Sequence, residues 1–157
     1  MQLIDILSAV VVVDFVTVAL SKFFNLGKSL DKWYAKFGMT AVLSDCLVIV
    51  LGIQLALLIE PKAAWFHLML MALAIQIFHD IWFYFAVIQT VPTGRNEIID
   101  LFKEYATENS WKIVVADSIM VVSTVGLAEL MSKVDQPTVS FVGLLATYAL
   151  TYIIYTH

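Results

Sequence analysis

The chain alternates between long apolar stretches and shorter polar connections, a pattern that predicts membrane-spanning helices. A helix needs about 20 mostly apolar residues to cross the hydrocarbon core of a bilayer. Five stretches reach about that length, and the last of them is diluted by threonines and tyrosines. They cover residues 3–24, 39–59, 63–90, 111–131 and 138–156. We therefore expect an all-α bundle of about five transmembrane helices, in a single domain over residues 1–157.

Two longer polar connections, 25–38 and 91–110, separate these stretches. The second connection has apolar side chains at near-helical spacing among charged ones: Ile98, Ile99, Leu101, Phe102 and Tyr105. This spacing predicts an amphipathic helix at the membrane surface, over about residues 95–108. The first connection is expected to be a polar link, and its Trp33 and Tyr34 are assigned to the aromatic belt at the membrane boundary.

Composition excludes a water-soluble protein and a nucleic-acid-binding one. Hydrophobic residues make up 61% of the chain and charged residues 14%, whereas soluble domains carry about 25% charged residues. The mean hydropathy is +0.90. The formal net charge is −4 and there is no cluster of lysines and arginines, so phosphate neutralisation has no counterpart here. The expected partner is the lipid bilayer.

The distribution of basic residues predicts the orientation. Seven lysines and arginines lie in or beside the two long connections: Lys22, Lys28, Lys32, Lys36, Arg95, Lys103 and Lys112. Only Lys62 and Lys133 lie on the other side. Basic residues favour the cytoplasmic side of a membrane. We expect the long connections in the cytoplasm, the N-terminus outside and, with five spans, the C-terminus in the cytoplasm.

The two halves of the chain show a weak internal similarity. Tyr34 precedes Asp45 by eleven residues, and Tyr105 precedes Asp117 by twelve, with a similar apolar run after each aspartate. One interpretation is a parallel repeat of two helical hairpins followed by a fifth helix. The alternative is that apolar segments resemble one another without common origin.

Aspartates inside the apolar stretches are the candidate functional groups: Asp14, Asp45, Asp80 and Asp117. A charged residue at the centre of a membrane helix costs roughly 2.5–3.5 kcal/mol on insertion scales, so none should face lipid. At about 1.5 Å per residue, the acids on the first and third stretches lie roughly 15 Å from the cytoplasmic border, and the other two roughly 9 Å. We expect all four carboxyl groups in one layer of the cytoplasmic half.

These acids, together with His79, suggest a proton or cation pathway. Thr17, Gln76 and Thr124 lie three, four or seven residues from an aspartate and are expected to line the same faces. The leading hypothesis is therefore a small transporter or channel for protons or cations, assembled as a homo-oligomer or with other membrane proteins. One histidine with several acids could also hold a metal ion, but the chain has no paired-histidine motif, so metal binding is left open. No cofactor is expected.

Two other functions remain open. Protonated aspartates and hydroxyl groups can simply hold helices together, as in a structural or accessory subunit of a membrane assembly, for example a viral or organellar one. Acids facing the cytoplasm could also bind a metal and a phospholipid headgroup in a lipid-modifying enzyme. Enzyme activity is the less favoured reading, since the chain has no P-loop, nucleophile elbow or dinucleotide fingerprint.

The segment Tyr105-Ala106-Thr107, followed by Trp111 and Asp117, resembles a family of small bacterial predicted membrane proteins of unknown function that also has relatives in giant viruses. In that family a similar segment and a tryptophan precede an aspartate in the last helices, and another aspartate lies in the first span, as Asp14 does here. The resemblance covers about a fifth of the chain. It implies a membrane helix bundle and no particular activity.

Overall fold

A computed structural model describes residues 1–24 and 27–156, which form seven α-helices and one π-helical turn. Asn25, Leu26 and His157 lie outside the described residues. The helices are α1 (Leu3–Phe24), α2 (Lys28–Phe37), α3 (Met39–Ile59), α4 (Trp65–Phe83), α5 (Glu97–Asn109), α6 (Lys112–Met131) and α7 (Gln136–Ile153), and the π-helical turn Tyr84–Ile88 continues α4. The described residues include no β-strand, which confirms the all-α class.

Four helices are long and apolar enough to cross a membrane: α1, α3, α6 and the continuous helix Trp65–Ile88. Their outward faces carry large apolar side chains. On α3, exposed leucines recur every three or four residues, at Leu43, Leu47, Leu51, Leu55 and Leu58. An apolar stripe of this length on a helix surface requires lipid or a protein partner. The stretch expected as a fifth span corresponds to α7, which is not among these four.

The four apolar helices form a ring in which α1 contacts α3 and α6, and α4 contacts the same two helices. α7 packs along α1. Small and branched apolar side chains fill the interior, including Ala9, Val10, Ile53, Leu68 and Val125, each no more than 1% exposed.

α2 lies in the polar connection 25–38, for which the sequence pattern predicted no helix. Leu30, Trp33, Tyr34 and Phe37 recur at the spacing of an amphipathic helix, and this side of α2 packs onto the bundle. α2 also contacts α5. The two helices are antiparallel, because Lys32 pairs with Glu104 whereas Lys36, further along α2, pairs with the earlier Glu97.

Short links join α2 and α5 to the membrane-length helices that follow them: Gly38 alone precedes α3, and Ser110 and Trp111 precede α6. Gly38 links α2 to α3 with φ 53° and ψ −129°. Ser110 links α5 to α6 with φ 49° and ψ −129°. Positive φ suits glycine, which has no Cβ, and strains other residues. Ser110 is the only described residue other than glycine with positive φ.

The shared backbone conformation predicts opposite effects for two reciprocal substitutions. Ser110→Gly is expected to raise the free energy of unfolding by about 1 kcal/mol, because relief of strain exceeds the entropy cost of glycine. Gly38→Ser is expected to lower it by about the same amount or more, since a Cβ there would lie 2.7 Å from Oη of Tyr155. Thermal unfolding of both variants in one detergent tests this, and a shift in the same direction would contradict it.

Helices α1, α2 and α3 make the same pattern of contacts as α4, α5 and α6. The contacts of α1 with α3 and α6 correspond to those of α4 with α6 and α3. The α2–α3 contact corresponds to α5–α6, and the α1–α2 contact to that between α5 and the π-helical turn. Equivalent helices of the two groups also contact each other, α2 with α5 and α3 with α6.

Candidate functional site

Asp14, midway along α1, is the most enclosed of the four aspartates. It is 0% exposed, and neither carboxyl oxygen has a hydrogen-bond partner among the described residues. Its nearest buried neighbours along α1 are Val10, Val13 and Val18. An ionised carboxylate without partners is costly in such surroundings. This site therefore favours a neutral acid or a bound positive species.

Asp45, near the start of α3, is hydrogen-bonded to two side chains of α2. Its Oδ2 accepts hydrogen bonds from Nε1 of Trp33 at 3.1 Å and from the hydroxyl of Tyr34 at 3.3 Å. Both donors are nearly buried, Trp33 at 5% exposure and Tyr34 at 2%. Two side chains expected in the aromatic belt thus contact the acid directly, and the 30, 33, 34, 37 spacing could have placed them on a helix facing it.

Asp80 forms a local group with two other residues of α4. Its Oδ1 accepts a hydrogen bond from Nε2 of Gln76 at 2.7 Å and lies 3.2 Å from Nδ1 of His79. Its Oδ2 is buried without a partner in the described part of the chain. The His79 ring stacks on Phe83, with 5.5 Å between ring centroids. Gln76 and His79 therefore fix one side of this carboxyl group.

Asp117 is half-buried on α6. The two threonines expected to line the site differ in whether their hydroxyl groups have hydrogen-bond partners. Thr124 is fully buried, and its Oγ1 has no partner within residues 1–24 and 27–156. The hydroxyl of Thr17 donates to the carbonyl oxygen of Val13 at 2.9 Å, which occupies its proton within α1. Of these two threonines, Thr124 is the one whose hydroxyl is uncommitted in the interior.

The four carboxyl groups are electrostatic neighbours, and we refer to them as the carboxylate layer. Asp14 interacts with Asp45. Asp117 interacts with both Asp80 and Asp45. The acids do not form a compact ligand set, since no three His, Cys, Asp or Glu side chains in the described residues are arranged to hold a metal ion. The layer is thus a series of acids that influence one another through their charges.

Two tyrosines on the surface helices face this layer. Burial raises the pKa of Tyr34 well above its usual value, and the nearby Asp45 and Asp14 act in the same direction. Burial likewise raises the pKa of Tyr105, with further contributions from Asp117 and Asp45. Both phenols therefore keep their protons at neutral pH. A phenol that stays protonated can donate one hydrogen bond and accept another.

Charged contacts hold α2 against α5 on the exposed side. Nζ of Lys32 lies 2.6 Å from Glu104, and Nζ of Lys36 lies 3.2 Å from Glu97. Glu108 accepts hydrogen bonds from the backbone N–H and hydroxyl of Ser29 and the backbone N–H of Lys28, at the start of α2. The bonds from Ser29 lower the pKa of Glu108. Exposed ion pairs each contribute only about 0–1 kcal/mol, so the buried face of α2 must supply most of its attachment.

Fold and site together define an all-α protein with four membrane-length helices, each of which carries one of the four aspartates. Asp14 is fully buried, and the other three are half-buried. No family model matches the chain, and no similar curated protein or solved structure was found. The resemblance carried by Tyr105-Ala106-Thr107, Trp111 and Asp117 stays a prediction.

Proposed function

We propose that this chain is a small multi-pass membrane protein that moves protons or cations across a bilayer through its carboxylate layer. The observation that carries the proposal is Asp14, whose two carboxyl oxygens are buried without partners in the described structure. Packing alone would be served at lower cost by an apolar residue or by an acid with hydrogen-bond partners. A site that takes up and releases a positive species accounts for an acid in this position.

The proposed membrane arrangement has five spans, with α7 as the fifth. Its support is that α7 follows α1 along its length. Nε2 of Gln136 donates to Oδ1 of Asp5 at 3.1 Å near the first end of both helices. Tyr152 and Ile153 share a groove with Lys22 and Phe23 near the other end. A helix parallel to a spanning helix over this distance crosses the same thickness of membrane.

The proposed orientation puts α2 and α5 on the cytoplasmic surface. The basic residues of the two long connections support it, because seven of the nine in the chain belong to that side. The carboxylate layer then lies nearer the cytoplasm, beneath α2. The expected homo-oligomer or membrane partner stays a prediction.

We also propose that α1–α3 and α4–α6 are two copies of one unit, related by an axis along the membrane normal. The matching helix contacts and the equal turns at Gly38 and Ser110 support this. Asp45 and Asp117 each follow their turn residue by seven positions. When Gly38 is aligned with Ser110, Tyr105 is paired with Trp33. The sequence similarity had instead paired Tyr105 with the neighbouring Tyr34.

Reconstitution into liposomes tests the transport proposal. Purified protein is expected to dissipate an imposed proton or cation gradient faster than empty vesicles do, and Asp80→Asn is expected to change that rate. Asp135→Asn is the matched control: Asp135 caps α7 far from the layer, and asparagine caps a helix as well as aspartate. Equal leak from vesicles with and without protein would contradict the proposal and favour the accessory-subunit hypothesis, which predicts co-purification with a larger membrane complex.

A further inference from the structure

We infer that the species moved is a proton, that Asp14 carries it as a neutral carboxylic acid, and that Tyr34 relays it between Asp45 and the cytoplasmic side. This inference rests on the proposed transport function and names its substrate. It depends on three features of the structure: the enclosure of Asp14, the absence of a ligand set around it within the described residues, and the hydrogen bond from Tyr34 to Asp45.

The surroundings of Asp14 suit a proton better than a larger cation. Hard cations such as calcium and magnesium need about six or more oxygen ligands at fixed distances. Asp14 is 0% exposed, its nearest buried neighbours along α1 are valines, and neither carboxyl oxygen has a hydrogen-bond partner in the described residues. A proton needs neither additional ligands nor a cavity, since it is held by one covalent O–H bond. Protonation also removes the charge that the apolar interior disfavours.

Asp45 is the next acid on the cytoplasmic side of Asp14. The two groups interact electrostatically, and Asp45 is linked by hydrogen bonds to α2 at the surface. In the transfer step, the O–H bond of the Asp14 acid breaks and one forms on Asp45, so that Asp14 becomes a carboxylate and the total charge is unchanged. The transfer requires the two carboxyl groups to come within hydrogen-bonding distance, directly or through one water molecule that enters between them.

Of the two donors to Asp45, only Tyr34 can pass a proton on. The indole N–H of Trp33 donates but cannot accept, whereas a hydroxyl does both. When the Tyr34 oxygen accepts the proton of protonated Asp45, its own proton passes to a water molecule, and the phenol is neutral before and after. Because Tyr34 is only 2% exposed, this step requires water to reach its hydroxyl from the cytoplasmic side. Trp33 is therefore a positioning residue, which orients the same Asp45 oxygen at 3.1 Å.

Flux measurements with two aspartate and two tyrosine variants test this relay. Liposomes holding a pH-sensitive dye report proton entry driven by a potassium diffusion potential, and separate vesicles report sodium or potassium flux. Asp14→Asn is expected to reduce proton flux about a hundredfold, the lower range for a positioned proton-transfer group. Tyr34→Phe is expected to reduce it by roughly tenfold or more. The matched controls are expected to retain it: Asp5→Asn at a buried site with hydrogen-bond partners, and Tyr148→Phe at an exposed position of α7.

Infrared spectroscopy gives a readout that does not depend on flux. Wild-type protein at neutral pH is expected to show the C=O stretch of a protonated carboxylic acid that Asp14→Asn removes and Asp5→Asn retains. Asparagine is neutral and similar in size to the protonated acid, so Asp14→Asn is expected to fold. If that variant does not fold, Tyr34→Phe with its control carries the test.

The outcomes separate this inference from the transport function itself. Sodium or potassium flux without proton flux would overturn the proton assignment and leave the transport function standing. No flux of any ion would overturn both. Proton flux that is unchanged in Tyr34→Phe would remove Tyr34 from the pathway, and a protonated-acid band of undiminished intensity in Asp14→Asn would remove Asp14 as the carrier.

Discussion

Replacing Gly143 with alanine is expected to lower the free energy of unfolding by about 1–3 kcal/mol, because it forces extra volume into a closely packed contact. A Cβ at this position in α7 would lie 2.5 Å from Oγ of Ser8 and 3.1 Å from its Cα. The hydroxyl can rotate away, but the α1 backbone cannot retreat without separating the two helices. Thermal or denaturant unfolding in detergent measures the loss.

Gly126→Ala is the matched control, since nothing lies within 4 Å of a Cβ built there on α6. Alanine in a helix is favoured over glycine by about 0.5–1 kcal/mol, so this variant is expected to be more stable than wild type. Ser8→Gly should partly rescue Gly143→Ala, because it removes the two closest atoms. A double-mutant cycle without coupling between positions 8 and 143 would show that α7 does not rest on α1 in this way.

Much of the helical framework could be predicted because hydrophobic length is a local property of the sequence. The predicted stretches 3–24 and 39–59 coincide with α1 and α3, and 111–131 differs from α6 by one residue. The third stretch extended two residues beyond each end of the helix Trp65–Ile88. Its last part is a π-helical turn, whose altered hydrogen bonding has no marker in hydropathy.

α2 was missed for a physical reason. Its ten residues include charged ones at four positions, and these lowered the average hydropathy of the segment even though one face is apolar. The periodicity of Leu30, Trp33, Tyr34 and Phe37 was the available signal. Lysines on the opposite face are satisfied by glutamates of α5, which lie more than 60 residues away in the chain. Such pairing depends on tertiary structure and cannot be read from a local window.

Depth counting predicted that the aspartates would lie at similar levels, and the structure makes them electrostatic neighbours. Counting could not show how differently each one is solvated. Asp14 has no partner in the described residues, Asp45 has two aromatic donors, and Asp80 is held by its own helix. These differences depend on helix rotation and on α2, neither of which is encoded in the spacing of acids along the chain.

Replacing Trp33 with alanine is expected to open the cytoplasmic side of the carboxylate layer. The indole packs on Phe102 and Phe37, with ring centroids 4.9 and 5.1 Å away, and donates to Asp45. Truncation of a buried tryptophan costs about 3–5 kcal/mol. The remaining exposed ion pairs with α5 contribute about 0–1 kcal/mol each and cannot offset that loss. α2 should therefore separate from the bundle much more often.

Cys46 is a built-in reporter of this opening. It is the only cysteine in the chain, it is 6% exposed, and its thiol lies near Asp14 and Asp45. Because 1.4 kcal/mol corresponds to a factor of ten, labelling of Cys46 by a water-soluble maleimide should become roughly a hundredfold faster in Trp33→Ala. Trp111→Ala is the matched control, since Trp111 is 69% exposed, and its labelling rate should stay at the wild-type level.

Trp33→Phe separates the two contributions of the indole. Phenylalanine retains most of the aromatic packing and loses the N–H donor to Asp45, so Cys46 should react at a rate between those of wild type and Trp33→Ala. A rate equal to that of Trp33→Ala would assign the attachment of α2 to the hydrogen bond rather than to packing. Equal labelling of Trp33→Ala and Trp111→Ala would show that α2 does not exclude water from the acids, and access to Asp45 would then have to be controlled elsewhere.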